Sequence, residues 1–224
     1  ARPLPEAVVT RAQALFDVKV RAETTPLSGT EMRAALADYD AVMPTLGDLF
    51  RAEVLADVPG ARCKLLANFG VGFNHIDAAA AVAAGIAVTN TPGAVTDATA
   101  DIAMTLMLMS ARRASEGERM VRAGAWEGWH PTQMLGLHLS GKTVGIIGMG
   151  RIGQAIARRC HFGFGMEVLY FNRSQKTMTF PARQVAGLTE LAAQVETEAN
   201  KLSFGRKISV CLVSGGKPIR KQMQ

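Results

Sequence analysis

The chain has 224 residues, 48% of them hydrophobic and 20% charged, with a formal net charge of +6. That is the composition of a globular protein with room for one large or two small domains. It holds no apolar run of membrane-spanning length and no signal-peptide hydrophobic region at its N-terminus, so a soluble cytoplasmic protein with no membrane partner is expected. The excess charge is local: Lys201, Arg206, Lys207, Lys217, Arg220 and Lys221 lie in the last 24 residues, which hold no acidic residue, and the rest of the chain is neutral overall. Only Phe204 is interleaved with these charges, so a solvated tail fits better than a nucleic-acid surface. Cys63, Cys160 and Cys211 are few, odd in number and set in apolar contexts, and His75, His130, His138 and His161 lack metal-ligand spacing. Neither a disulfide framework nor a metal site is predicted.

In chain order, strands and helices alternate. Phe16–Val20 reads as a strand, Thr30–Ala37 as a helix, Ala41–Met43 as a strand, and Asp48–Ala56 as a helix. Lys64–Asn68 then reads as a strand, Ile76–Ala84 as a helix, and Ile86–Asn90 as a strand. Such βα repetition with short links predicts an α/β fold with an open parallel sheet flanked by helices. Asp101–Gly124 reads as one long helix. Its first half, D-I-A-M-T-L-M-L-M-S-A, is apolar on nearly every face, which predicts burial on more than one side, between domains or between subunits. Met104, Met107 and Met109 are taken as packing residues. Ala125–Ser140, with Trp126, Trp129 and Pro131, reads as a structured connection.

From Lys142 a hydrophobic strand runs into V-G-I-I-G-M-G-R-I-G, Val144–Gly153, and then into the helix-forming Gln154–Arg159, with a second strand at Met166–Phe171. This is the context of a dinucleotide-binding turn. Gly148 permits the tight turn, Gly150 admits the pyrophosphate to the backbone, and Gly153 lets the helix pack closely on its strand. The bare helix N-terminus offers amides and positive dipole to the phosphates. An NAD site carries an Asp or Glu at the end of the second strand, bonded to the ribose 2′-OH and repelling a 2′-phosphate. Here that place holds Asn172, Arg173 and Ser174. A neutral amide removes the repulsion, while a guanidinium and a hydroxyl suit a phosphate, so NADP is favoured over NAD. Arg173 as a solvated loop residue and Asn172 as a turn former remain the alternative.

Two further segments, N-F-G-V-G-F-N-H-I-D at Asn68–Asp77 and V-T-N-T-P-G-A-V-T-D-A-T-A-D at Val88–Asp101, join the glycine turn and M-E-V-L-Y-F-N-R-S in an ordered set. The set resembles the D-isomer-specific 2-hydroxyacid dehydrogenases from about Leu4 to Glu190, and most of all their glyoxylate/hydroxypyruvate reductase and glycerate dehydrogenase branch. The resemblance implies a flavodoxin-like substrate domain over residues 1–98 and a Rossmann dinucleotide-binding domain over residues 99–224. It implies NADP-dependent reduction of a small 2-keto acid, and a homodimer. The G-V-G loop of this family donates backbone N–H groups to the substrate carboxylate, which places Val71 and Gly72 there, in a task that suits successive bare amides. Thr99 falls where the family has cofactor contacts, and Arg151 and Ile152 would present amides to the pyrophosphate beside Gly148, Gly150 and Gly153. Asp101 has another explanation in the dipole of the helix it opens.

The family draws its catalytic Arg, Glu and His from N-T-A-R-G-like, later acidic and H-I-G-S-like segments, and none of these occurs in this sequence. No catalytic residue is therefore assigned, and this polypeptide alone is expected not to turn over. Ala1–Val9 resembles the loop and helix after the family's first strand, so that strand is expected to be missing. Ile208–Gly216 reads as a strand and glycine turn, after which roughly a third of a family chain would be expected to follow. Sheets truncated in this way leave an unpaired edge and uncovered helix faces, so the polypeptide is also expected to be marginal or aggregation-prone. A non-catalytic NADP-binding module that regulates a protein partner is the alternative. Another Rossmann enzyme class, such as a formate or amino-acid dehydrogenase, would not carry the G-V-G and T-N-T-P-G segments.

Overall fold

A computed structural model describes residues 2–202, with side chains to residue 195, and the strand expected at Ile208–Gly216 lies outside them. The chain divides into two compact units, Ala1–Val95 and Thr96–Gln224. Both are α/β, with parallel sheets flanked by helices.

The first unit begins with α1 (Glu6–Gln13) and α2 (Gly29–Asp38), and continues through β1 (Ala41–Val42), α3 (Ala52–Ala56), β2 (Leu65–Ala67), α4 (Ala78–Ala83) and β3 (Ala87–Thr89). The strands form one parallel sheet in the order β1-β2-β3, registered Ala41 to Leu65 and Leu65 to Ala87. α2 starts where it does because Ser28 and Glu31 make a reciprocal capping box, each side chain bonding the other's backbone N–H. α4 is capped by Asp77, whose carboxylate accepts the Ala80 N–H. Leu36, Phe50, Cys63, Leu66, Ile76, Ala81 and Ile86 fill the core between sheet and helices.

The second unit runs through α5 (Thr96–Ala111), α6 (Ala114–Arg122), β4 (Thr143–Ile147), α7 (Arg151–Phe164), β5 (Glu167–Phe171), β6 (Arg183–Gln184) and α8 (Leu188–Leu202). Its parallel sheet has the order β4-β5-β6, with Thr143 opposite Glu167 and Leu169 opposite Arg183. Alternation sorts the strand side chains between two cores. Ile146, Val168 and Tyr170 pack with Ala157 of α7, whereas Leu169 packs with Leu191 of α8, joined by Ile147 and Phe171. A sheet covered on both faces explains why β4 is an unbroken apolar run. α5 lies against α7, where Met104, Cys160 and Met166 form a third cluster and Arg159 bonds both Asp97 and Asp101 at 3.0 and 2.8 Å. Among the described residues no helix is long and apolar enough to cross a membrane.

Four expectations are corrected. Phe16–Val20 forms no strand: no described strand pairs with it, and Leu15, Phe16 and Val20 stay exposed. The helix expected from Asp48 begins at Ala52, because the buried Asp48 carboxylate is taken up by Leu27 N–H, Thr45 N–H and the Thr45 hydroxyl. The long helix from Asp101 starts five residues earlier, at Thr96, and breaks at Arg113, whose φ is +55°. The Ala111 carbonyl accepts the N–H of the distant Leu137 at 2.7 Å, so the connecting segment is bound to the end of α5. Asp101 thus lies in the second turn, away from the strongest dipole field, and its partner is Arg159. Within the second unit α5 buries Ala100 and Met104 among the described residues, while Ile102 and Leu106 are 60% and 59% exposed.

Two consequences are measurable. A Cβ on Gly153 would stand 2.1 Å from the Gly148 carbonyl oxygen, whereas one on Gly150 would meet nothing within 4 Å. Gly153→Ala is expected to destabilise the second unit by about 3 kcal/mol, and Gly150→Ala by less than about 0.5 kcal/mol. Urea unfolding followed through Trp126 and Trp129 distinguishes them, and equal losses would contradict the close-approach account. In the first unit, burial lowers the pKa of His75 below its usual 6.5, the negative Asp48 opposing and the positive Arg51 adding to the shift. The folded unit therefore holds fewer protons than the unfolded chain. Its His75-linked stability is complete above the ordinary imidazole pKa and is lost as pH falls through the lowered folded value. The protection factors of the β2 and β3 amides, which are corrected for the intrinsic slowing of exchange in acid, should fall on acidification from pH 8 to 5, with a shallower pH dependence in His75→Gln.

Candidate functional site

The glycine turn joins β4 to α7. Gly148 has φ +89°, a conformation that an L side chain rarely adopts, and it turns the chain as β4 ends. Its N–H bonds the Phe171 carbonyl at 2.9 Å, which ties the turn to the end of β5. Gly150 is the N-cap of α7 in extended backbone that any residue could adopt. The Gly153 Cα sits against the Gly148 carbonyl, the close helix-to-strand packing its position in the motif predicts. The Arg151 and Ile152 N–H groups precede the first intrahelical acceptor, and Gln154 N–H is the first to find one, the Gly150 carbonyl at 2.9 Å.

Asn172 sits one residue past β5, and its carboxamide is already engaged. Its Oδ1 accepts the Met149 N–H at 3.2 Å and its Nδ2 donates to the Ser174 carbonyl at 2.7 Å. Gln184 of β6 donates to the Asn172 backbone carbonyl at 2.8 Å. Asn172 is thus a strut between the glycine turn and the strand end, while Arg173 and Ser174 beyond it are exposed. An open cleft of about 650 Å³ is lined by Phe171, Asn172, Arg173, Gln184, Val185 and Ala186. Sequence reading missed Gln184, since a two-residue strand shows no alternation. The structure therefore brings Gly148, Gly150, Arg151, Ile152, Gly153, Asn172, Arg173 and Ser174 to the carboxyl ends of β4 and β5. Thr99 does not join them through any direct bond: it is exposed in the first turn of α5.

In the first unit the loop after β2 carries Val71 and Gly72, both exposed. Behind it lies a buried polar cluster. Asn68 Nδ2 donates to the Gly70 carbonyl at 2.9 Å and the Gly72 carbonyl at 3.0 Å, and His75 Nε2 lies 2.9 Å from Asn68 Oδ1. With the Asn68 amino group spent on two carbonyls, its oxygen must accept, so His75 donates through Nε2. Just past β3 the Asn90 amide donates to the Val71 carbonyl at 2.8 Å, and Thr91 N–H reaches the Gly70 carbonyl at 3.1 Å. Asn68 and Asn90 were not marked by sequence reading, although both lie inside the motif segments.

Two further histidines and a buried thiol stand apart from these arrangements. His161 stacks on Phe180 with ring centroids 5.4 Å apart, and His130 bonds Thr132 on the connecting segment. Burial pushes the Cys160 thiol up to about 11, so it stays protonated against Met104.

Residues 104–197 match the NAD binding domain of the D-isomer specific 2-hydroxyacid dehydrogenases. Over 170 residues the chain is 44% identical to the glycerate dehydrogenase of Hyphomicrobium methylovorum, covering 76% of this chain and 52% of that protein. It is 42% identical over 179 residues to the glyoxylate reductase of Thermococcus kodakarensis, covering 78% and 53%. The crystal structure of a proposed D-isomer specific 2-hydroxyacid dehydrogenase from Polaromonas sp. JS6 66 superposes with a TM-score of 0.80 at 38% identity, over 86% of this chain and 60% of that one. The chain thus spans about half the length of the two named relatives. By these likenesses in sequence and fold, this chain belongs to the D-isomer specific 2-hydroxyacid dehydrogenase family.

Proposed function

We propose that this chain holds NADP and the carboxylate of a small 2-keto acid, glyoxylate or hydroxypyruvate, for reduction to the D-2-hydroxy acid. The observation that carries this reading is the glycine turn, with bare amides at the start of α7 and a neighbouring strand that ends in Asn172, Arg173 and Ser174. The turn fits a pyrophosphate: Gly153 is demanded by the protein's own packing, whereas the space beside Gly150 is filled by nothing within 4 Å, as a ligand's approach requires. Arg173 and Ser174 would hold the 2′-phosphate, and Asn172 adds no charge to repel it. Bound there, the cofactor supplies the hydride for carbonyl reduction. Val71 and Gly72 would fix the carboxylate through their amides, and Thr99 lies on the cofactor side of the family's motif. In this reading residues 1–98 are the substrate domain and residues 99–224 the nucleotide domain. The names of the relatives, a glyoxylate reductase and a glycerate dehydrogenase, support the substrate class. The exposed apolar side chains Ile102, Leu106 and Met109 on one face of α5 support a homodimer.

Proton donation to the developing alkoxide is assigned to no residue of this chain. His75 is buried behind the loop, donating to Asn68, and the other described histidines lie on the connecting segment or at the far end of α7. The chain mixed with NADPH and glyoxylate is therefore expected to show no NADPH oxidation above background. Turnover near that of an intact relative would refute this division of labour.

Cofactor choice is testable on binding alone, by fluorescence titration with NADPH and NADH. Arg173→Ala is expected to weaken NADPH about 10- to 100-fold, the loss of a charge-assisted contact, and to leave NADH unchanged. Asn172→Asp keeps an acceptor for the Met149 N–H but adds the charge of an NAD site, and should reverse the preference. Equal affinity of the unmodified chain for both nucleotides would overturn the NADP reading.

A further inference from the structure

We infer that Asn68 and Asn90 are positioning residues that turn the Phe69–Phe73 backbone into an anion-binding concavity, with His75 bonded to the Asn68 carboxamide oxygen. The inference rests on the proposed carboxylate role of Val71 and Gly72 and explains how that loop comes to perform it.

Three consecutive carbonyls of the loop are pinned from behind. The Gly70 oxygen accepts from Asn68 Nδ2 and Thr91 N–H, the Val71 oxygen from Asn90 Nδ2, and the Gly72 oxygen from Asn68 Nδ2, all between 2.8 and 3.1 Å. There are no cis peptide bonds, and in a trans peptide the N–H points opposite to the carbonyl of the preceding residue. Fixing the oxygens of Gly70, Val71 and Gly72 towards their donors therefore directs the N–H groups of Val71, Gly72 and Phe73 the other way. None of these three N–H groups has an acceptor among the described residues. Val71, Gly72 and Phe73 are all exposed, while Asn68 and His75 are buried. Three successive unpartnered amides in one short loop make a concavity suited to a carboxylate or similar small anion.

The orientation of Asn68 is the critical choice, because a flipped carboxamide would present its oxygen to two carbonyl oxygens. The Gly70 and Gly72 carbonyls therefore exclude the flip, and His75, with Nε2 2.9 Å from the Asn68 oxygen, completes the arrangement as the donor to it. Asn90 reaches in from the end of β3, so β2 and β3 must be paired for the three carbonyls to be held together.

The test is a glyoxylate titration of the 15N-labelled full chain at constant ionic strength, read at the Val71, Gly72 and Phe73 amide resonances. These resonances should shift in the unmodified chain. Asn90→Ala, at an exposed position, should weaken the response about five- to tenfold without moving the thermal midpoint, the scale of one lost hydrogen bond. Asn90→Gln, which keeps an amide donor, should recover part of it. Asn68→Ala should abolish the response in a folded chain, with α2 resonances unchanged. Should Asn90→Ala titrate like the unmodified chain, the positioning role is overturned while the carboxylate reading stands. Should the unmodified chain itself show no shift at these amides, both fall together.

Discussion

Steric exclusion at the end of β4 is the constraint on which the second unit depends. α7 crosses the glycine turn so closely that the Gly153 Cα rests against the Gly148 carbonyl, with no room for a side-chain carbon between them. From that approach follow the pairing of the turn with Phe171, the seating of Ala157 on Ile146, Val168 and Tyr170, and the bare amides that α7 presents at the carboxyl ends of the strands. The same sheet is covered on its other face by α8, whose Leu191 and Val195 lie over Gly145. A glycine in that strand permits the helix to approach there too.

The two units solve one electrostatic problem in two ways. α7 exposes amides because a helix start has none of its own acceptors, so the geometry comes with the secondary structure. The Phe69–Phe73 loop has no helix to do this and relies on side-chain amides that hold its carbonyls. The difference matters for robustness. A helix start survives most substitutions in its first turn, whereas the loop depends on Asn68, on Asn90 and on the His75 bond behind Asn68. Asn172 stands between the two cases, a side chain used to secure a turn whose amides the helix already supplies.

Motif segments were the legible part of this molecule. Gly148, Gly150 and Gly153 could be given separate roles from spacing alone, because a strand, a sharp turn and a closely packed helix leave few alternatives for each position. α2, α4 and the strands β1 to β5 were visible as runs of the right period, and only their ends moved by a residue or two. Failures share one cause. Phe16–Val20 has the alternation of a strand but lacks a neighbour to pair with. Asp48 looks like a helix start but its carboxylate is committed elsewhere. The long apolar helix breaks at Arg113 where Leu137, 26 residues away in sequence, takes the Ala111 carbonyl. In each case a contact remote in the chain, or its absence, overrode the local signal.

By itself the sequence determined the α/β class, the dinucleotide turn and the family, because these rest on local steric requirements written in consecutive residues. It also placed Arg173 and Ser174 past the end of β5 and left a neutral Asn172 before them. Only the tertiary structure decided that Asn172 braces the turn, that Asn68 and Asn90 share the carbonyls of one loop, and that α5 leaves Ile102 and Leu106 uncovered. Hydrogen-bond partners and burial depend on what folding brings alongside, and a carboxamide reads the same in sequence whether it faces a ligand or its own backbone.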